Sequence, residues 1–273
     1  MPITADCHLH SSYSGDSNTP MEEMILKGIE RGLTTMCFTE HNDFDYPYQP
    51  DEPQDYFLLT PDPYLYDLLG LREKYADKIK ILFGVELGLQ PQVMRQNAVL
   101  AKSYDFDFII GSSHICNGKD PYYPAFFEGR SEEEAYREYF ESILENLHTN
   151  VDFDVYGHID YVVRYGPNTN KFYSYKKFSD IIAEILRTLI SMGKGIEINT
   201  GGFKYGLRHP NPTEEIIARY HDLGGEIITM GADAHAPEHV AYAFDKVPEI
   251  LKNAGFQYYT VFENRKPLFL PLP

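Results

Sequence analysis

The stretch Ile-Thr-Ala-Asp-Cys-His-Leu-His, residues 3–10, joins a short apolar run to a pair of histidines. Residues 3–8 have the composition of a β-strand, and His8 and His10 stand at its end. In an extended chain, residues i and i+2 point to the same side, so both imidazoles can face one ion. Asp233 and His235 repeat this spacing after another apolar run. The pattern predicts strands whose carboxyl ends carry metal-binding groups.

Short apolar runs and longer amphipathic stretches alternate along the 273 residues. The short runs predict strands at residues 3–8, 35–40, 79–87, 106–112, 154–158, 195–199 and 226–231. The longer stretches predict helices at residues 21–31, 64–75, 91–102, 131–148, 175–192, 213–223 and 241–253. Continuous apolar strands are typical of a parallel sheet that is buried on both faces. We therefore predict one α/β domain over residues 1–273, either a barrel or a doubly wound sheet.

The polar residues at the strand ends favour the barrel. These residues are His8, His10, Glu40, His41, Glu86, His114, His158, Asp233 and His235. An open sheet would bring only a few strand ends together, whereas a barrel gathers them all in one ring at its C-terminal face. We therefore predict a TIM-like barrel of seven strands with its active site at that face.

The residue types at these strand ends indicate which ions they can bind. Imidazole and carboxylate groups without thiolate suit zinc, iron or manganese. The strand ends offer too many ligands for one tetrahedral ion, so two or three ions must share them. Asp16, in the turn at residues 13–17, adds a carboxylate on the same side. Cys7 points to the opposite face of a regular strand from His8, and we leave it out.

Composition restricts the partners and the location of the protein. A net charge of −17 repels nucleic acid and anionic membranes, so we expect neither as a partner. No run approaches the roughly 20 apolar residues that span a membrane, and residues 1–6 show no start of a secretory signal. Cys7, Cys37 and Cys116 cannot all pair, which favours reduced, buried thiols. We predict a cytoplasmic protein, and the sequence gives no direct evidence on its oligomeric state.

The ordered motifs resemble a known family. H-L-H-S-S-Y-S-G-D, T-E-H, G-V-E, S-S-H, G-H-I-D-Y and G-A-D-A-H run from about Asp6 to His235 and resemble the polymerase and histidinol phosphatase (PHP) family of metallohydrolases. Residues 157–167, G-H-I-D-Y-V-V-R-Y-G-P, and residues 197–200, E-I-N-T, look most like the bacterial histidinol phosphatases within it. The resemblance covers most of the chain and implies a distorted barrel of seven strands.

The resemblance also implies a centre of three divalent ions: zinc, iron or manganese. By this likeness, the first ion is held by His8, His10, Glu86 and Asp233, the second by Glu86, His114 and His158, and the third by Asp16, His41 and His235. Glu86 bridges the first two ions. The ions together carry more charge than their carboxylate ligands, which gives a local attraction for a phosphate monoester despite the acidic surface.

The activity implied by the resemblance is hydrolysis of a small phosphate ester. The expected substrate is L-histidinol phosphate, which water would convert to L-histidinol and phosphate in histidine biosynthesis. We hypothesise that a hydroxide bridging two ions attacks phosphorus, while Asp233 orients it and Arg164 offsets charge on the phosphate. Arg208 or Lys204 is a further phosphate candidate, because relatives can carry an arginine where this chain has Gly201 and Gly202.

Two long loops, residues 42–63 and 117–130, follow the second and fourth strand ends and would overhang the site. Asp43 or Glu40 could pair with the amine of the substrate. An aromatic wall from these loops could stack on its imidazole. The first loop is dense in Pro, Asp, Tyr and Phe, and the second holds Tyr122, Tyr123, Phe126 and Phe127. Aromatic packing that closes the barrel mouth is the alternative.

The sequence is also compatible with other functions. A PHP-type phosphodiesterase, or a hydrolase of another small phosphoester, would keep the metal centre and change the substrate. A non-catalytic metal-binding module is the alternative from a different class, although such modules often lack ligands that this chain retains. The apolar, proline-rich residues 258–273 could cover the barrel bottom or contact a partner.

Overall fold

The computed structural model describes residues 3–47, 49–50, 52–53, 55–149 and 152–273. Within these ranges, seven strands pair side by side in chain order, and every pairing is parallel. They are β1 (Ala5–Leu9), β2 (Thr35–Asn42), β3 (Lys80–Gly88), β4 (Phe108–Ser112), β5 (Val155–Tyr156), β6 (Gly195–Asn199) and β7 (Ile228–Gly231). The predicted parallel α/β architecture is confirmed.

The last strand of the sheet returns to the first, so the sheet closes. Leu9 forms a parallel bridge with Ala234. The backbone N–H of His10 donates to the carbonyl of Ala234 at 2.9 Å, and that of Asp233 donates to the carbonyl of His8 at 2.8 Å. The structure is therefore a TIM-like barrel rather than an open doubly wound sheet, and the His8 and Asp233 ends are neighbours.

Helices lie between the strands along the chain. They are α1 (Met21–Glu30), α2 (Pro61–Lys74), α3 (Met94–Ser103), α4 (Glu132–Leu147), α5 (Ser179–Ser191), α6 (Gly201–Lys204), α7 (Glu214–Asp222) and α8 (Val247–Asn253). At the start of α4, Ser131 and Glu134 form a reciprocal capping box. The sequence pattern does not predict the short helix α6. None of the described helices is long and apolar enough to cross a membrane.

The last helix begins six residues later than the sequence pattern predicts. The pattern predicts a helix over residues 241–253, but α8 begins at Val247. Ala241 and Ala243 have φ angles of 53° and 56°. These values lie in the left-handed region, which a right-handed helix cannot contain.

The C-terminal segment forms an antiparallel hairpin of β8 (Tyr258–Glu263) and β9 (Lys266–Pro271). Thr260 Oγ1 accepts a hydrogen bond from the N–H of Ile228 at 3.2 Å, and the ring of Phe262 stacks on that of Phe108 at 5.2 Å. Ile228 and Phe108 are the first residues of their strands. The hairpin therefore covers the bottom of the barrel, opposite the predicted active-site face.

Candidate metal centre

Glu86 lies at the middle of the ring formed by the strand ends and is fully buried. Its Oε1 is 2.9 Å from Nε2 of His158 and 3.2 Å from Nε2 of His114. Its Oε2 is 3.1 Å from Nε2 of His8 and 3.1 Å from Nδ1 of His41. One carboxylate thus meets imidazoles from four different strand ends.

The β1 and β7 ends form a second part of the cluster. Oδ1 of Asp233 lies 3.5 Å from Nε2 of His10 and 3.8 Å from Nε2 of His8. Asp233 has a φ of 53°, an uncommon value for a residue with a side chain. Such strained conformations concentrate at functional sites, where the surrounding structure holds them in place.

Asp16, His41 and His235 form the outer part of the cluster. Oδ2 of Asp16 is 3.0 Å from Nε2 of His235 and 3.7 Å from Nε2 of His41. The ring of His10 stacks on the rings of His41 and His235, with 4.2 Å between centroids in each case. The side chain of Asp16 is 36% exposed, so this part faces the barrel mouth.

The structure therefore brings together all nine side chains that the sequence named as metal ligands. Donor atoms lie within 4.8 Å of one another in four groups of three: His10, His41 and His235; His8, His10 and Asp233; His8, Glu86 and His158; and His41, Glu86 and His114. These groups overlap the three predicted sets without matching each one. The division of the ligands among three ions remains a prediction.

Unsatisfied polar atoms indicate that this cluster suits a cation. His8 Nε2, His10 Nε2, His41 Nδ1 and Glu86 Oε2 are buried and make no hydrogen bond with any described residue. Each buried, unpaired polar atom costs about 1–3 kcal/mol. Divalent cations would satisfy these atoms, and a mixture of imidazole and carboxylate donors suits zinc, iron or manganese. Cys7 is a buried free thiol and belongs to none of the donor groups.

The electrostatics of the cluster keep its acids ionised. Burial opposes the charged form of Glu86, but His8, His114 and His41 hold the pKa of its carboxyl well below the usual value. Burial likewise opposes ionisation of Asp233, whose pKa is nevertheless held low by His8 and other neighbours. Ionised carboxylates are the form that binds metal ions.

Arg164 lies in a single 3-10 turn, Tyr161–Arg164, that follows β5. Its side chain is buried, and its guanidinium makes three hydrogen bonds. Nε donates to Oδ1 of Asn211 at 2.9 Å, Nη1 to Oδ2 of Asp233 at 2.8 Å, and Nη2 to Oδ1 of Asn199 at 2.9 Å. The plane of the guanidinium is thereby fixed beside the cluster.

One cavity connects the cluster with Arg164. Its lining residues are Asp16, His41, Asp43, Tyr46, Phe57, His114, Asp120, His158, Tyr161, Arg164, Tyr165, Tyr205, Asp233 and His235. Asp43 borders this cavity, but its Oδ1 also accepts a hydrogen bond from Nδ1 of His114 at 2.8 Å. The cavity thus has a polar floor and a wall that is largely aromatic.

Of the two predicted loops, the first contributes aromatic residues to the cavity wall and the second does not. None of the four aromatic residues named in the second loop lines the cavity. Phe126 and Phe127 are buried in the core, and Tyr122 is 58% exposed. Tyr46 and Phe57 line the cavity from the first predicted loop, in which Tyr48, Asp51 and Gln54 lie outside the described residues. Phe126 and Phe127 therefore have a packing role, which was the alternative to stacking on the substrate.

Two predicted substrate contacts need correction. Glu40 is fully buried, and its carboxylate accepts hydrogen bonds from Ser11 and Ser14. It holds the loop that carries Asp16 and does not line the cavity. Arg208 lies on the surface, in a separate cavity with Glu214, because the chain turns away after α6. Neither residue is therefore placed to contact a substrate beside Arg164.

Sequence reasoning missed two acids at the site. Glu197 lies near the end of β6, within the E-I-N-T motif, but the motif alone assigns no role to its side chain. Its position near a strand end, like that of Glu86, could have identified Glu197 as a residue of the site. Asp120 lies in the second long loop and lines the cavity. Only the folding of that loop over the barrel mouth brings Asp120 there.

Comparison with known proteins agrees with the geometry. A profile of the PHP domain matches residues 6–201. The histidinol-phosphatase of Lactococcus lactis subsp. lactis is 33% identical over 265 residues, which cover 96% of this chain and 95% of that protein. A solved structure of histidinol phosphate phosphatase from the same organism, complexed with zinc, L-histidinol and phosphate, is 32% identical. It superposes with a TM-score of 0.89 over 97% of this chain and 98% of its own.

A structure from Listeria monocytogenes shares the fold at lower identity. It is 19% identical and has a TM-score of 0.77, covering 89% of this chain and 99% of its own. The profile match and the identity to the Lactococcus protein extend over most of the sequence. The chain therefore belongs to the polymerase and histidinol phosphatase family.

Proposed function

We propose that this protein is a metal-dependent phosphatase that hydrolyses L-histidinol phosphate to L-histidinol and phosphate. We infer the reaction type from one cavity that is lined both by the histidine–carboxylate cluster and by the buried Arg164. The choice of substrate rests on similarity to the Lactococcus enzyme, whose solved structure contains L-histidinol and phosphate. Phosphate hydrolysis needs charge stabilisation at the phosphoryl oxygens, and this cavity offers it from two sides.

We infer that three divalent ions occupy the cluster. The expected ligands are His8, His10, Glu86 and Asp233 for the first, Glu86, His114 and His158 for the second, and Asp16, His41 and His235 for the third. Such ions, when bound, polarise phosphoryl oxygens and make water more acidic. The central position of Glu86 supports its role as the ligand shared by two ions.

Arg164 is the residue best placed to bind the phosphate. A guanidinium carries five N–H groups, and the hydrogen bonds to Asn211, Asp233 and Asn199 use three of them. The remaining two can meet phosphate oxygens in the cavity that Arg164 lines. The ring centre of Tyr205 lies 4.9 Å from the guanidinium carbon and restricts its movement further.

Asp233 is suited to orient the attacking water. Its Oδ2 is held by Arg164, so the direction of Oδ1 is fixed toward His8 and His10. Because its pKa is held low, this carboxylate stays ionised and accepts hydrogen bonds. A water that donates to Oδ1 would be held beside His8 and His10.

Asp120 offers a partner for the amine or imidazole of the substrate. Its Oδ2 accepts a hydrogen bond from the hydroxyl of Tyr46 at 2.8 Å, and its Oδ1 accepts one from the N–H of Tyr122 at 2.7 Å. Two neutral donors orient the carboxylate without neutralising it. Tyr46 and Tyr161 line the same cavity and can pack against an imidazole ring.

The direct test is phosphate release from L-histidinol phosphate, a plain alkyl phosphate and a phosphodiester. The protein is first treated with a chelator, and zinc, manganese or iron is then added back. We expect hydrolysis only with metal, and a clear preference for L-histidinol phosphate. Preference for the diester would contradict the proposed substrate, and no hydrolysis with any metal would favour the binding-module alternative.

Other properties are proposed from the sequence alone. We propose a single catalytic domain over residues 1–273, a cytoplasmic location and no nucleic-acid partner. The net charge of −17 supports the last of these, since polynucleotides bind to basic surfaces.

A further inference from the structure

Glu197, near the carboxyl end of β6, lies directly beneath the cluster. It is fully buried and does not line the cavity. Its Oε1 is 2.6 Å from Nδ1 of His8. Its Oε2 accepts hydrogen bonds from the backbone N–H of His158 at 3.0 Å and from Nδ2 of Asn199 at 3.1 Å. Both oxygens are occupied, so the carboxylate has one fixed orientation.

The contact with Nδ1 determines what His8 presents to the cluster. A carboxylate accepts hydrogen bonds and donates none, so the proton of a neutral His8 must lie on Nδ1. The lone pair is then on Nε2, the buried atom that makes no hydrogen bond with any described residue and lies 3.1 Å from Oε2 of Glu86. An imidazole in this tautomer is ready to bind a cation.

The neighbouring strand leaves room for this pair. Gly231 ends β7, and a Cβ atom on it would lie 2.1 Å from Cβ of His8 and 2.7 Å from Oε1 of Glu197. Both distances are far shorter than real Cβ contacts. Any side chain at residue 231 would therefore push His8 and Glu197 apart, and glycine allows their close approach.

We propose that Glu197 is a positioning residue of the metal centre, which fixes the ring orientation and tautomer of His8 for binding a divalent cation. It also holds the backbone of His158, a second predicted ligand, and so couples two strand ends. Glu197 acts through these histidines and does not touch the substrate. The proposal rests on the metal centre of the proposed function and not on the identity of the substrate.

The test compares Glu197→Gln and Glu197→Ala with Glu184→Gln, a matched change at an exposed position of α5. Chelated proteins are titrated with zinc alone in competition with a chromophoric chelator. Because partners of metal-bound histidines typically contribute 10–100-fold in affinity, we expect zinc binding to weaken by about 10–100-fold in both Glu197 variants. Glu184→Gln should bind zinc like the unchanged protein. Unaltered affinity in both folded Glu197 variants would overturn the proposal.

Nitrogen NMR of histidine-labelled protein gives a second measurement without substrate. Spectra are recorded at a pH at which the His8 ring is neutral, where we expect the unchanged protein to carry the ring proton on Nδ1 and Glu197→Ala to lose this preference. If that variant does not fold, Glu197→Asp replaces it, because a shorter carboxylate keeps the charge but withdraws from Nδ1. Full zinc affinity and an unchanged His8 tautomer in Glu197→Asp would contradict the proposal. Zinc binding by a protein that does not hydrolyse L-histidinol phosphate would refute the proposed substrate only.

Discussion

Nη1 of Arg164 lies 2.8 Å from Oδ2 of Asp233, and both side chains are buried. This ion pair joins the residue proposed to bind phosphate to one proposed to bind metal. Removing one partner of a buried pair leaves the other charge uncompensated, which is strongly destabilising to local structure. A change at Arg164 should therefore affect phosphate binding directly and the orientation of Asp233 indirectly.

Arg164→Lys should lower kcat/KM for L-histidinol phosphate by at least about 100-fold. Lysine keeps the charge but cannot reproduce the planar fork, and loss of one aligned donor to a transition state costs about 100–1000-fold. Steady-state kinetics and inhibition by inorganic phosphate measure the effect. Arg187→Lys, at an exposed position of α5, is the matched control. A loss of less than about threefold would exclude Arg164 as the phosphate ligand.

Glu86→Ala should abolish turnover and reduce the bound metal. The substitution removes the carboxylate that meets four imidazoles, so the cluster loses its central negative charge and its shared ligand. Metal content by elemental analysis and phosphate release are measured on the same preparation. Glu184→Ala, at an exposed position of α5, is the control and should keep its metal content and activity through the same purification. Near-normal activity of Glu86→Ala would show that the proposed centre is not the catalytic one.

Asp120→Asn should reduce the preference of the enzyme for L-histidinol phosphate over a plain alkyl phosphate. We expect kcat/KM for L-histidinol phosphate to fall by about 10–100-fold, since a charged hydrogen bond contributes about 1.5–3 kcal/mol. A plain alkyl phosphate, which has no amine or imidazole, should lose less than about threefold by the same reasoning. Asp45→Asn is the control, because Asp45 is exposed and does not line this cavity. Equal losses for both substrates would indicate a packing role for Asp120.

The pH dependence of stability gives a separate test of the Asp120 environment. Burial raises the pKa of Asp120 to about 6, from an ordinary value of 3.8. The folded protein therefore holds a proton here that the unfolded chain releases, so this group contributes stability that is lost as pH rises through about 4 to 6. The amide introduced by Asp120→Asn would not titrate.

Urea unfolding of the chelated protein measures this difference. The free energy of unfolding of Asp120→Asn, relative to the unchanged protein, should rise by about 1–3 kcal/mol between about pH 4 and pH 7. A relative stability that does not change with pH would place the pKa of Asp120 near its ordinary value. The hydrogen bonds from Tyr46 and Tyr122 contribute to the free energy of unfolding at both pH values. Their loss in the variant therefore does not produce a change with pH.

Prediction from sequence worked best where the signal is local. Each of the pairs His8 and His10, and Asp233 and His235, lies at the strand end where the pattern predicts it. Extended backbone accounts only for the first pair, because Asp233 lies past the end of β7 with a φ of 53°. Helix ends were less predictable, as α8 illustrates, because the left-handed residues Ala241 and Ala243 are not glycine. The substrate contacts were least predictable, since Arg208 was named only for its proximity to a matched motif and Glu40 only for its position at a strand end beside a long loop.

The sequence by itself determined the parallel α/β barrel and eight of the nine candidate ligands, because alternating apolar runs with polar ends carry both kinds of information within a few residues. The ninth, Asp16, was identified in a turn next to the first of these motifs. Only the tertiary structure decided which side chains support and surround them. His8 and Glu197 are 189 residues apart, and Tyr46 and Asp120 are 74 apart. Such pairs depend on strand register, closure of β1 against β7 and the path of two long loops, and no local pattern encodes these.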